Sequence, residues 1–139
     1  MDRRAFIKDS GIVLCACASG SAIMAACRTP ASVITDAKRE GEFLHVPTSV
    51  LDGSGFVVIT EETLGFPIYV SVKDGLHYAV LLKCSHKGCE LKPGARLLKC
   101  PCHGSTFKPT GEAVKLPATE PLQTFPVSVS GGVVRIKVG

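Results

Sequence analysis

Two short segments of the chain combine cysteine with histidine, whose side chains are common ligands of transition metals. The first is CSHKGC, beginning at Cys84, and the second is CPCHGS, beginning at Cys100. Each offers a cysteine and a histidine at short spacing, with His86 two residues after Cys84 and His103 three residues after Cys100. Thiolate and imidazole groups bind zinc and iron. The two segments therefore predict one metal centre with two cysteine and two histidine ligands.

Two kinds of centre use such a ligand set. A structural zinc ion would take the four groups tetrahedrally, but the Cys-x-His spacing is tight for zinc, and zinc leaves Cys89 and Cys102 without a role. A [2Fe–2S] cluster can bind two cysteines on one iron and two histidines on the other. Covalent haem attachment requires Cys-x-x-Cys-His, which Cys-Pro-Cys-His misses by one residue. The iron–sulfur cluster is favoured, and zinc remains the alternative.

The pattern Cys-x-His followed by Cys-x-x-His resembles the Rieske iron–sulfur family, and in particular its subgroup with one additional cysteine in each loop. The resemblance implies one [2Fe–2S] cluster with these ligands: Cys84, Cys100, His86 and His103. It also implies that Cys89 and Cys102 form a disulfide that joins the two loops.

The resemblance further implies which residues tune the cluster. With two thiolates and two neutral imidazoles the oxidised cluster carries no net charge, so it accepts an electron more readily than a four-cysteine cluster. Ser105 occupies the position of a serine that donates a hydrogen bond to a cluster sulfur in the family. Phe107 stands where the quinol-oxidising members carry a tyrosine, and Pro117 lies in a segment similar to the family's proline-containing third loop.

The elements that must position these residues are predicted to be β-strands. Three β-rich runs, GFVVIT, PIYVSV and HYAVLLK, precede the first segment, and Lys73-Asp74-Gly75 predicts a turn between the second and third runs. The tail FPVSVSGGVVRIKVG alternates around Gly131-Gly132, which predicts another hairpin. Each metal-binding segment follows Leu-Leu-Lys, so both loops should leave strand ends. We expect a small, all-β, antiparallel Rieske-type domain over residues 43–139.

The N-terminal part of the chain predicts export and attachment. Residues 1–27 start with basic residues, continue with an apolar run and end in small residues, as an export signal or membrane anchor does. Arg3-Arg4 resembles a twin-arginine signal, and IMAAC resembles a lipobox that would make Cys27 a lipidation site. Residues 28–42 are polar and predict a tether. We expect the protein in the bacterial periplasm or on the outer face of the cytoplasmic membrane.

Basic residues are frequent around the two metal-binding segments. Seven lysines and arginines lie between residues 83 and 115, against Glu90 and Glu112. A solvated rim is the simpler interpretation, and a docking face for an acidic partner is the alternative. The net charge of the whole chain is +4, and the basic residues are not interleaved with aromatic ones, so nucleic-acid binding is not indicated.

The resemblance to Rieske proteins implies one-electron transfer between redox proteins or from a quinol, without independent catalysis. Three settings are compatible with it: the iron–sulfur subunit of a quinol–cytochrome c reductase, the small subunit of a periplasmic molybdenum oxidoreductase such as arsenite oxidase, or a free-standing lipoprotein ferredoxin. Phe107, and Lys87 where quinol-oxidising members carry leucine, disfavour the first. We expect an exported, membrane-tethered electron-transfer protein that is a subunit of a respiratory redox complex. No spacing indicates a catalytic triad or a carboxylate pair.

Overall fold

The folded part of the chain consists of short β-strands in three sheets. The computed structural model describes residues 32–34 and 37–139, so the predicted signal of residues 1–27, with Cys27, lies outside the described residues. The strands are β1 (Ser32–Ile34), β2 (Lys38–Glu40), β3 (Phe43–Pro47), β4 (Phe56–Ile59), β5 (Ile68–Lys73), β6 (Leu76–Leu81), β7 (Leu98–Lys99), β8 (Thr106–Phe107), β9 (Ala113–Lys115), β10 (Thr124–Phe125), β11 (Val127–Ser130) and β12 (Val133–Lys137). Two short 3₁₀ helices, Thr48–Leu51 and Glu62–Leu64, complete the regular structure of the described part, where no helix has the length and apolarity to cross a bilayer.

The three sheets have five, four and three strands. Their orders are β1-β4-β5-β6-β10, β11-β12-β3-β2 and β7-β8-β9. Neighbouring strands are antiparallel, except that β1 runs parallel to β4. The prediction of an all-β, antiparallel domain is thereby confirmed.

The predicted hairpin between β5 and β6 is present. Lys73 pairs with Leu76, and the two residues between them, Asp74 and Gly75, have φ angles of 52° and 77°. Positive φ at both central residues is the geometry of a type I′ turn, which matches the twist of antiparallel strands and favours Asp-Gly. The second predicted hairpin joins β11 to β12 through Gly131 and Gly132. Local turn chemistry therefore sets both hairpins.

Strand β4 of the five-stranded sheet is buried on both faces, which explains why its sequence, FVVI, is continuously apolar. Side chains alternate along β4: Val57 and Ile59 face the four-stranded sheet, whereas Phe56 and Val58 face the opposite side. The core between the two larger sheets contains Leu44, Val46, Leu51, Val57, Ile59, Ile68, Val70, Ala79, Leu81, Phe125, Val134 and Ile136. Full burial of each large aliphatic side chain contributes about 1.5–3 kcal/mol.

A second core lies on the other face of the five-stranded sheet and includes the two cysteines predicted as ligands. It contains Phe56, Val58, Tyr69, Val80, Leu82, Cys84, Leu91, Leu98, Cys100, Phe107, Ala118 and Leu122. The small sheet contributes Leu98 and Phe107, which lie opposite each other on β7 and β8 and are completely buried. This packing fixes the position of the small sheet, and with it the loops that leave its strands.

Regular structure also occurs within the segment that the sequence assigned to the tether. Residues 38–40 form β2, which pairs with β3 through Lys38↔His45, Arg39↔Leu44 and Glu40↔Phe43. The strand is exposed and polar, so it carries no apolar pattern that sequence inspection could detect. The folded domain accordingly includes residues before Phe43.

We expect Tyr69 to make the stability of the domain fall with rising pH in the alkaline range. Its ring is completely buried and stacks on Phe56 with 5.0 Å between ring centroids, and its hydroxyl donates to the Gly94 carbonyl oxygen at 3.0 Å. Burial raises the pKa of Tyr69 from 10.0 to about 12. The folded state favours the neutral phenol, so the contribution of Tyr69 to the free energy of unfolding is complete below pH 10. This contribution, about 3 kcal/mol, is lost as the pH rises to 12.

The measurement is the free energy of urea unfolding between pH 9 and pH 12.5 for the wild type and Tyr69→Phe. We expect the wild type to lose about 3 kcal/mol more than Tyr69→Phe over this range. Tyr78→Phe removes the second tyrosine hydroxyl of the chain and serves as the control that keeps the wild-type slope. Parallel pH profiles for the wild type and Tyr69→Phe would contradict the prediction.

Candidate metal centre

The first metal-binding segment forms a tight loop after β6. The Cys84 N–H donates to the Cys89 carbonyl oxygen at 2.8 Å, and the Gly88 N–H donates to the Cys84 carbonyl oxygen at 2.9 Å. Gly88 has a φ of 75°, in the left-handed region that favours glycine. These bonds bring the two ends of the loop together, and the adjoining residues Lys83 and Glu90 form an antiparallel bridge.

The second segment has the same backbone pattern between β7 and β8. The Cys100 N–H donates to the Ser105 carbonyl oxygen at 2.8 Å, and the Gly104 N–H donates to the Cys100 carbonyl oxygen at 3.1 Å. Gly104 has a φ of 81°, which corresponds to Gly88 in the first loop. The similarity of the two segments in sequence therefore extends to their hydrogen bonding, and in each loop the first cysteine lies at the base.

Two thiols lie side by side at the bases of these loops. Cys84 and Cys100 are the cysteines of the described residues that are not in a disulfide, and each is 3% exposed. Burial raises the pKa of the Cys100 thiol, but hydrogen bonds from the Cys102 and His103 backbone N–H groups and from the Cys84 thiol outweigh it, so this pKa lies below its usual value. Because metals bind the thiolate, this environment suits a ligand.

The two imidazoles of the metal-binding loops are neighbours in an edge-on arrangement. The rings of His86 and His103 are 5.0 Å apart, centroid to centroid, at an interplanar angle of 88°. His103 is exposed and His86 is half-buried. The Nδ1 atom of His86 is buried and has no hydrogen-bond partner among the described residues, which is the condition of a nitrogen that binds something other than protein.

The remaining two cysteines form the disulfide that the resemblance implied. Cys89 and Cys102 are bonded and lie 13 residues apart in the chain, so the bond joins the first loop to the second. The sulfur atoms of Cys89, Cys100 and Cys102 lie within 4.8 Å of one another. A disulfide supplies no thiolate, so within this sulfur group Cys100 is the available ligand.

The available donors fit a [2Fe–2S] cluster. The same two loops supply two thiols, which belong to the second core, and two neighbouring imidazoles, of which that of His103 is exposed. This donor set, together with the unpartnered nitrogen of His86, matches two-cysteine, two-histidine ligation. His45 and His77 lie on β3 and β6, where His45 Nε2 is 3.6 Å from a Glu40 carboxylate oxygen.

A third loop, between β9 and β10, is hydrogen-bonded to both metal-binding loops. The Ala118 N–H donates to Ser105 Oγ at 3.0 Å, and Ser85 Oγ donates to the Glu120 carbonyl oxygen at 2.7 Å. Ser105 is completely buried, and because its oxygen accepts this bond its own proton is available to donate. Pro117 is exposed in this loop. Sequence inspection placed Ser105 and Pro117 near the cluster but gave no signal for the contact with Ala118.

Phe107 lies in the second core and is completely buried. It follows Ser105 by two residues, on β8 opposite Leu98. The position therefore supplies packing and no hydroxyl group.

Comparison with known proteins agrees with this site. Residues 38–126 match the family described as the Rieske [2Fe–2S] domain, which includes both loops, all four free donors and the disulfide. The chain belongs to the Rieske family, and it is an electron-transfer protein that binds a [2Fe–2S] cluster. No curated protein sequence matches the chain significantly.

Several solved structures resemble the domain. The plasma membrane Rieske protein PetC3 from the cyanobacterium Synechocystis PCC 6803 is 29% identical, with a TM-score of 0.57 over 66% of this chain and 94% of that chain. The ferredoxin of carbazole 1,9a-dioxygenase from Nocardioides aromaticivorans IC177 is 21% identical, with a TM-score of 0.54 over 68% of this chain and 94% of that chain. A chain of a hyperthermophilic respiratory Complex III is also 21% identical, with a TM-score of 0.54 over 65% of this chain and 71% of that chain. The last two similarities establish the fold.

Proposed function

We propose that this protein is an exported, membrane-tethered carrier of single electrons that serves as a subunit of a respiratory redox complex. The observation that carries the proposal is the presence of two buried thiols and two neighbouring imidazoles on two hydrogen-bonded loops. We assign Cys84 and Cys100 as ligands of one iron and His86 and His103 as ligands of the other. When bound, the cluster supplies a site that accepts and releases one electron.

The residues around the ligands hold the loops in place and leave one side of the site open to a redox partner. The cysteines are embedded in the second core, whereas His103 is exposed, so a docked partner would contact the histidine side. The Cys89–Cys102 bond and the hydrogen bonds of Ser105 and Ser85 join the three loops. Such preorganised surroundings limit the rearrangement that accompanies a change of charge.

The proposed location is based on the N-terminal residues. Arg3-Arg4 and the apolar run after them support twin-arginine export, a route that carries folded proteins and suits a cluster inserted before transport. Cys27 is a candidate for lipidation. Similarity to a plasma membrane Rieske protein supports attachment to the membrane.

Replacing Arg3 and Arg4 by lysine is expected to leave cluster-containing protein in the cytoplasm, because the export address is lost. Cys27→Ala should alter processing and release the domain into the soluble fraction. Immunoblots of cytoplasmic, periplasmic and membrane fractions measure both effects, with replacement of Lys8 by arginine as a charge-conserving control. Wild-type distribution of the double lysine variant would contradict the export route.

The reduction potential tests electron transfer by this site. A cluster with two histidine ligands should have a potential of about −150 to +300 mV, well above plant-type ferredoxins near about −400 mV. Ser105→Ala should lower the potential, because it removes the buried hydroxyl that can donate to a cluster sulfur. Phe107→Tyr should raise the potential if its hydroxyl reaches a cysteine sulfur. Protein-film voltammetry measures both, and a plant-type potential for the wild type would contradict the proposed function.

A further inference from the structure

A row of lysines without carboxylate partners in the described structure crosses the small sheet next to the metal-binding loops. Lys92 pairs with Lys99, Lys99 pairs with Thr106, and Thr106 pairs with Lys115. Residues directly opposite each other on antiparallel strands project from the same face. We define the lysine row as Lys92, Lys99 and Lys115, which spans about 14 Å at the usual strand spacing. Lys92 and Lys99 therefore share one face, and Lys115 reaches solvent next to a register shift between β8 and β9.

The row is on the solvent face of the sheet. All three lysines are exposed, whereas Leu98 and Phe107, the pair adjacent to Lys99 and Thr106, are completely buried on the other face. Lys92 and Lys99 exchange two backbone hydrogen bonds, of 2.8 and 3.0 Å, which places two positive charges directly opposite each other. Like charges in this arrangement are destabilising. The Lys92–Lys99 pair is therefore expected to destabilise the folded domain.

Some other lysines of the described domain have acidic partners. Lys38 contacts Glu40 at 2.7 Å and Lys137 contacts Glu42 at 3.7 Å, both at the four-stranded sheet. The described residues provide no carboxylate within 4.0 Å of any lysine of the row. The row is thus a strip of positive charge that no carboxylate of the described residues contacts.

The position of the row indicates what binds it. Lys99 directly precedes Cys100, and Lys115 directly precedes the third loop, whose Leu116 is 69% exposed. Interfaces commonly combine exposed aliphatic groups with charges that steer the partner. We propose, resting on the proposed function, that the lysine row is the docking strip for an acidic redox protein that exchanges electrons with the cluster. A partner that exchanges electrons must bind close to the ligands, whereas a membrane surface has no such requirement.

The test measures electron transfer to an acidic blue-copper protein used as the probe. One electron passes from the reduced cluster to copper(II), which becomes copper(I), and no proton or chemical group is transferred. The row variant replaces Lys92, Lys99 and Lys115 by glutamine, and the matched control replaces Lys38, Arg39 and Lys137 by glutamine. Both lose the same net charge, but the control positions lie on β2 and β12 of the four-stranded sheet.

At low salt, stopped-flow measurements should give a rate for the row variant at least about 10-fold below that of the wild type, with the matched control close to the wild type. The difference in rate should disappear at about 300 mM salt, because salt screens the electrostatic attraction between the two proteins. The wild-type advantage should also disappear with a probe whose carboxylates have been amidated. The row variant should melt no lower than the wild type, since it loses the Lys92–Lys99 repulsion.

Equal rates for the wild type and the row variant, or equal slowing of the row variant and the matched control, would overturn the docking strip. It would also be overturned if the row variant lost binding to phosphatidylserine vesicles while its electron-transfer rate stayed at the wild-type value, because the strip would then serve a membrane. Failure of the proposed function is distinguishable: wild-type protein would then show no cluster signal and would not reduce ferricyanide. If the wild type, the row variant and the matched control all show a normal cluster signal, a negative rate result speaks against the docking strip alone.

Discussion

Replacing any one of the four assigned ligands is expected to abolish the cluster. Cys84→Ser, Cys100→Ser, His86→Ala and His103→Ala each leave an iron open to water, and a bridged pair of irons does not persist with a position missing. The two cysteine sites are 3% exposed, so an altered side chain there also disturbs the second core. The two histidine sites lie outside that core, so His86→Ala and His103→Ala separate cluster loss from misfolding.

The measurement is iron content together with the low-temperature EPR signal of the reduced protein. His45→Ala and His77→Ala serve as matched controls, since these histidines belong to β3 and β6 and should leave iron and signal at wild-type levels. Circular dichroism of His86→Ala should retain the β-sheet spectrum. A full EPR signal in His86→Ala or His103→Ala would refute the ligand assignment.

Removing the disulfide is expected to destabilise the cluster without removing a ligand. Cys89 and Cys102 are 13 residues apart, and closing a loop of this size contributes about 3 kcal/mol in the chain-entropy model. Without this bond, the first two loops are joined through the third loop, by the hydrogen bonds of Ser85 and Ser105, and through the metals. The double variant Cys89→Ala, Cys102→Ala should therefore assemble cluster and lose it at a lower temperature.

Bleaching of the visible absorption during heating measures this effect. Addition of a thiol reductant should move the wild-type transition towards that of the double variant and should leave the double variant unchanged. That comparison separates loss of the bond from loss of the side chains. If the wild type and the double variant bleached at the same temperature, the disulfide would have no part in retaining the cluster.

Strands β4, β5 and β6 and the β11–β12 hairpin could be predicted from sequence because their signals are local. β4, β5 and β6 are apolar runs of four to six residues, and Asp74-Gly75 specifies the turn between the last two. The small sheet could not be predicted, since β7 and β8 have two residues each and two residues define no periodicity. β2 was missed for a related reason, because an exposed polar strand has no apolar face.

Some features of the candidate site could likewise be predicted from sequence, and others could not. Cysteine and histidine spacing identified the two loops, and the resemblance to Rieske proteins implied the Cys89–Cys102 bond, which the spacing alone left open among other pairings. The hydrogen bond from Ala118 to Ser105 joins residues 13 positions apart, and the lysine row joins four separate segments through strand register. Contacts of this kind depend on tertiary structure, and no short pattern in the chain encodes them.

Histidine ligation of the cluster is tested most directly by pulsed EPR of the reduced protein labelled with ¹⁵N-histidine. Coupling between the electron spin and two histidine nitrogens should change from the ¹⁴N to the ¹⁵N pattern on labelling. The pattern should be unaffected by His45→Ala and His77→Ala, because these side chains are not among the donors that converge at the loops. A reduced cluster without nitrogen coupling, or with coupling that labelling leaves unchanged, would contradict ligation by His86 and His103.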